Sequence, residues 1–195
     1  MTRLSKPHDD RGAVFVEFLI AFMPVYVFFL CLVQLSLLFT VRLVTEHAAV
    51  NAARAAAVVI GDDPQRYGGE HMHEIIEGRG ERYAAVRNAA LLTLAPFVLN
   101  GTVLGVDVLF PPPDKPGADG RKGPLHFLPM GTHDVEKVRV RVEVDTACRI
   151  GFANRVTCPL LSLGSRPRVH VQLDLPTILV RAEAVYPYQG ARYAY

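Results

Sequence analysis

The sequence predicts an α+β chain: a long N-terminal hydrophobic helix, transmembrane and then stalk-like, followed by a small domain with one or more helices and an antiparallel β-sheet. Three observations predict it. Residues 11–41, RGAVFVEFLIAFMPVYVFFLCLVQLSLLFTV, are an apolar stretch with no charged side chain after Glu17. Residues 81–97 place Tyr83, Val86, Ala90, Leu91 and Leu94 at helical spacing. Residues 137–145 alternate Val138, Val140, Val142 and Val144 with Arg139, Arg141, Glu143 and Asp145, the period of a strand with one face buried and one face wet.

The first element sets the solvent. At ~1.5 Å rise per residue, residues 18–41 cover the ~30 Å hydrocarbon core of a bilayer. Gln34, Ser36 and Thr40 are polar exceptions that a helix satisfies internally or against a neighbour. Arg3, Lys6 and Arg11 precede the run, whereas only Arg42 follows before Glu46. That bias places the N-terminus in the cytoplasm and everything after Arg42 outside it. A secretory signal peptide is the competing reading, but its apolar core runs to only ~7–15 residues and ends in a small-x-small site. Here the small-residue cluster starts at Ala48.

Pro24 lacks an N–H and should kink the helix near Ile20 without ending it. Beyond Val41 the pattern turns amphipathic, with Leu43, Val44, His47, Val50, Ala53, Arg54 and Ala57 at three- and four-residue steps. Ala lets helices approach closely. Gly61 and the following Asp62-Asp63-Pro64 form a stop, so one helix runs from residue 11 to 60.

The 135 residues that remain suffice for one small domain. Residues 62–80 read as a polar loop with one helical turn, and the second helix ends near Pro96. Strands are expected at residues 103–108, 137–145, 168–175 and 178–185, with an exposed Pro/Gly loop at 111–124. A net charge of +2 with mixed signs provides no broad basic field, which excludes nucleic acid as a partner.

Candidate sites are few. Cys148 and Cys158 bracket a short segment in the exterior domain and suit a disulfide staple in an oxidising compartment; two free buried thiols are the alternative. Cys31 reads as a small apolar packing residue. Glu70, His71, His73, Glu74 and Glu77 concentrate metal-ligand types, yet the two His are two residues apart and do not share a helical face. A solvated loop is the preferred reading, with no metal and no cofactor. The sequence holds no G-x-S-x-G, no glycine-rich phosphate loop and no S-x-x-K, and Ser162 has no local basic partner, so no enzyme is expected. Asn100-Gly101-Thr102 matches a glycosylation acceptor but reads as a turn after a helix. Tyr186, Tyr188, Tyr193 and Tyr195 either pack on the domain or form a loose end.

Glu17 carries the functional signal. A carboxylate inside an apolar helix costs a few kcal/mol at the bilayer centre and usually has a partner; at the headgroup boundary it is cheap. Gly12 follows a charged leader, Ala13 comes next, Glu17 is the fifth residue counted from Ala13, and Phe18 follows. This resembles the processing site of the type IV pilin superfamily, in which a prepilin peptidase cuts after the Gly and the fifth mature residue is a Glu. Gly12, Ala13, Val16, Glu17, Phe18 and Pro24 look like the signature of TadE-like minor pilins (pseudopilins) of the tight-adherence (Tad, Flp or type IVc) pilus. Residues 44–57, VTEHAAVNAARAAA, resemble the Ala-rich segment that follows the membrane span in those proteins. The resemblance covers about the first sixty residues; Ala13 departs from the Phe or Met of many type IV pilins.

The resemblance implies a cytoplasmic leader at 1–12, a transmembrane and stalk helix at 13–60, and an extracytoplasmic α+β domain at 61–195. It further implies cleavage between Gly12 and Ala13, and assembly through Glu17 and Phe18. The implied partners are the lipid bilayer, prepilin peptidase, other pilins or pseudopilins and the Tad assembly machinery of a bacterial inner membrane. The alternative is an uncleaved bitopic inner-membrane protein whose outer domain serves as a receptor or scaffold.

Overall fold

A computed structural model describes residues 11–71, 74–111, 125–126, 137–161, 168–170 and 175–187. The first helix, α1 (Arg11–Val59), is 49 residues long and passes through Pro24 without interruption. At ~1.5 Å per residue its length is about 73 Å. A 3-10 turn (Pro64–Tyr67) follows, started by the Asp63 side chain, which accepts the Gln65 N–H at 3.0 Å. Gly68 closes it with φ of 62°, a left-handed conformation that glycine adopts without penalty.

Next come β1 (Glu74–Ile75), α2 (Glu81–Leu99), β2 (Val103–Leu109), β3 (Leu125–His126), β4 (Lys137–Ala147), α3 (Ala153–Leu161), β5 (Arg168–His170) and β6 (Leu175–Pro187). β1 pairs with β3, and the other four form an antiparallel sheet in the order β2-β4-β6-β5. The architecture is α+β: α1 and α2 cover one face of this sheet.

The core lies between them. Val138, Val140, Val142 and Val144 of β4 meet Ala48, Ala49, Ala52, Ala53 and Ala56 of α1 and Val86, Ala90 and Leu94 of α2 in one buried cluster. The alanines let the backbones close up. α2 runs back along α1, with Arg82 reaching Val59 and the Asn51 amide donating to the Thr93 hydroxyl at 2.9 Å.

Several sequence expectations need correction. The buried stripe on α1 is Val41, Thr45, Ala48, Ala49, Ala52, Ala53, Ala56 and Ala57, while Leu43 and Val50 face outward. Both stripes have helical period; the partner surface selects the one rich in small residues. α2 continues through Pro96 to Leu99, because Pro96 and Leu92 are exposed and the Leu92 carbonyl freed by proline can meet water. His170 pairs with Leu175, so Leu175 belongs to the last strand and the strand expected at 168–175 is shorter. The loop at 111–124 lies, apart from Pro111, outside the described residues, as do Ser162, Tyr188, Tyr193 and Tyr195.

The second face of β4 is not wet throughout. Arg141 is 4% and Glu143 9% exposed. Both have direct cross-strand partners on β6: Arg141 lies opposite Glu183 and bonds to it, and Glu143 lies opposite Arg181, whose Nε is 2.9 Å away. A central strand is overlaid by the long side chains of its neighbours, which alternation alone cannot reveal. These pairs guard the register. A two-residue slip one way sets Arg141 opposite Arg181, and the other way Glu143 opposite Glu183, like-charge pairs that destabilise a ladder. In β2 the register shifts between Val103 and Gly105, leaving Leu104 as an extra residue and turning both Val103 and Val106 inward.

Candidate functional site

From Val14 to Tyr26 every side chain of α1 is exposed. Sixteen large apolar side chains between positions 14 and 43 are exposed, from Val14 at 67% to Leu43 at 60%. At about 1.5–3 kcal/mol for full burial of each such side chain, leaving them in water forfeits tens of kcal/mol, more than the ~5–15 kcal/mol net stability of a domain. The surface therefore calls for lipid or other helices. By length and composition this helix can cross a membrane.

Within it, Phe18, Phe22 and Tyr26 stack along one face at four-residue steps, with ring centroids 5.5 and 5.9 Å apart. Glu17 is exposed beside the start of this ladder. Gly12 and Ala13 have helical backbone. Ala13 and Glu17, four residues apart, therefore share one face of the helix. Thr40 and Thr45 donate their hydroxyls to the carbonyls of Ser36 and Val41 at 2.9 and 2.8 Å, which satisfies them inside the helix.

Among the described residues, Gln34 is the first buried side chain of α1, where the α+β domain meets the helix. This side chain is 2% exposed, and its amide oxygen accepts the Ile150 N–H at 3.2 Å. Ile150 lies in the segment between Cys148 and Cys158, which are joined, with Cα atoms 6.6 Å apart. α3 follows and packs along α1, with Ala153 and Cys158 buried and Val156, Leu160 and Leu161 exposed. Cys31 is a half-buried free thiol.

The carboxylates grouped in sequence near His71 have structural employment. Glu70 accepts the N–H groups of Glu81 and Arg82 and so caps the start of α2, where Gly80 has no side chain to do so. Glu77 accepts the Phe110 N–H at 2.7 Å, and burial pushes its carboxyl above the usual range against the lowering effect of that bond. His71 is exposed; the side chains of His73 and Glu74 lie outside the described residues. Among the described residues no group of three or more His, Cys, Asp or Glu is placed to hold a metal. Asn100 and Gly101 form the turn after α2, with the Asn100 side chain accepting the Thr102 N–H at 2.9 Å and Gly101 at φ of 71°.

Two features escaped the sequence reading. Arg82 is fully buried and donates to the carbonyls of Val59, Asp62 and Glu70, while its guanidinium lies 4.7 Å from the Tyr67 ring centre. It thus places a cation on the Val59 carbonyl at the C-terminus of α1, the negative end of that helix, and on carbonyls of the segment that follows. Nearby, the Asp63 N–H, the Tyr67 hydroxyl and Arg66 hold the Asp62 carboxyl below its usual range. Nothing in ERYAAVRN marks Arg82 as the buried arginine instead of Arg87. The other feature is α3, a nine-residue helix that was not among the expected elements.

Comparison of the chain with models of known protein families, with curated proteins and with solved structures found no match.

Proposed function

We propose that this chain is a minor pilin of a tight-adherence pilus, non-enzymatic, held in the inner membrane with its N-terminus in the cytoplasm, cut after Gly12 and assembled through its N-terminal helix. The observation that carries the reading is the placement of Gly12, Ala13 and Glu17 at the start of a helix whose next residues, Val14 to Tyr26, are exposed on every side and whose first buried side chain beyond them is Gln34. Such a surface suits two successive environments, lipid before assembly and a bundle of like helices after it.

Cleavage would leave a new α-amino group at Ala13 and free N–H groups at the helix start. Glu17 is the one carboxylate within the apolar run and the natural partner for that positive end in a neighbouring subunit. In a water-poor bundle, an unpaired amine or carboxylate is costly and the pair restores part of that cost. Pro24 removes one N–H from the run and offers a point of bending as helices pack. A cleaved secretory signal fits poorly for a structural reason. Removing everything before the Ala48 cluster would take Gln34, Leu38, Val41 and Thr45 out of the buried set.

The test is Glu17→Gln in the native host, which keeps shape and loses charge. Membrane insertion and leader removal should persist, while pilus yield and pull-down of partner pilins fall. Wild-type pilus levels with normally inserted variant would remove the assembly role and favour the anchored bitopic protein.

A further inference from the structure

The exposed apolar side chains of α1 are spread over residues 14–43, about 45 Å at ~1.5 Å per residue and half again what a ~30 Å hydrocarbon core takes up, although Gln34, Leu38 and Val41 within that stretch are buried. Something must define which part of the run is in lipid. Gln34, where the α+β domain meets the helix, lies twenty residues beyond Val14, about 30 Å along the axis. The lowest contact of the domain thus falls where hydrocarbon should end.

The element at that level is α3 with the residue before it. Phe152, Val156 and Leu160 recur at four-residue steps and are 68, 52 and 63% exposed. Arg155 is exposed in the same turn. Phe152 also has φ of 62°, a left-handed backbone that costs a bulky residue free energy, and its exposed ring gains little packing in return. A groove of about 280 Å³ runs between α1 and the domain beside α3, walled by Leu35, Leu38, Phe39 and Leu161 together with Arg42 and Arg181. Apolar walls next to arginines are the chemistry of the zone between acyl chains and phosphates.

We propose that Phe152 and α3 form an interfacial foot that rests in the headgroup–acyl boundary of the outer leaflet and sets how deeply α1 sits. This rests on the reading of α1 as a membrane span. The disulfide between Cys148 and Cys158 and the Gln34–Ile150 hydrogen bond hold the foot against the helix, so the domain and the span are fixed to one depth. Arg155 supplies a cation to lipid phosphate.

The chain has no Trp, so single Trp variants report depth without background. The full chain is placed in nanodiscs of phosphatidylcholine and phosphatidylglycerol with Phe152→Trp, Leu160→Trp, Phe28→Trp or Val58→Trp, and quenching by lipids brominated on the acyl chain is measured. Phe28 lies within the span, and Val58 is 69% exposed some 36 Å beyond Gln34 at ~1.5 Å per residue. The foot requires short-wavelength emission and quenching at positions 28, 152 and 160, with long-wavelength, unquenched emission at 58. Quenching at 28 alone overturns the foot and leaves the span. No quenching at 28 overturns both. Shielding at 152 and 160 that arises only when other pilin chains are added also overturns it, and assigns the face to a subunit contact.

Discussion

At the scale of single residues, charge placement separates structural from functional roles. Arg82 is inside the fold because α1 ends at Val59 with carbonyls that need donors, and the guanidinium supplies several at once. Arg82→Leu should cost about 2–4 kcal/mol, since it removes charge-assisted hydrogen bonds to the Val59 and Asp62 carbonyls and leaves the Val59 carbonyl with only the 3.3 Å bond from the Asp62 N–H; denaturant unfolding in detergent is the check. Arg87, exposed on the same helix, should tolerate Leu with little change. Glu77 behaves oppositely. Its carboxyl is pushed up by burial, so its proton is held more tightly folded than unfolded. Its contribution is therefore most favourable below the ordinary carboxylate range and is lost as pH rises through the raised value. Glu77→Gln keeps an acceptor for the Phe110 N–H, and should raise the unfolding midpoint at pH 7.5 while leaving it nearly unchanged at pH 4. Glu17 stands out in the sequence as the one carboxylate in an apolar run, and its role is what Glu17→Gln tests. Arg82 does not stand out, because its reason lies in a helix end twenty-three positions earlier.

At the scale of elements, legibility followed the strength of the period. The long helix, α2 and the central strand β4 were readable because apolar spacing is strong there, and their ends moved by only a few residues. Which stripe of α1 faces inward was not readable, since Leu43 and Val50 are more hydrophobic than the alanines that are buried instead. Close approach of α1 to β4 and α2 favours small side chains over apolar area. α3 was not among the expected elements; it is only 9 residues long and has Pro159 inside it, so it offers little helical period to read. Its staple lends it order: a bridge spanning 10 positions should contribute about 3 kcal/mol by restricting the unfolded chain. Non-reducing peptide mapping of material from the native host should show Cys148 joined to Cys158 with Cys31 alkylatable, and Cys148→Ser with Cys158→Ser should lower stability by ~2–3 kcal/mol. Alkylation of both cysteines without reductant would remove the staple.

At the scale of the molecule, two solvents meet in one chain. Residues 14–33 are built for an apolar surrounding, and from Gln34 onward the same helix becomes the spine of a water-exposed α+β domain. Because α1 belongs to both parts, movement of the helix from lipid into a fibre would carry the domain with it rigidly. On the proposed reading, this coupling would make processing the decisive event: a leader bearing Arg3, Lys6 and Arg11 would hold the helix start on the cytoplasmic side, and its removal would free an amine at Ala13. Intact mass and N-terminal sequencing of the protein purified from its own host test this most directly. A chain beginning at Ala13, with the leader retained when Gly12 is replaced by a bulky residue, is the result the pilin account predicts. Functional protein that still begins at Met1 or Thr2 would contradict it and leave the anchored bitopic protein.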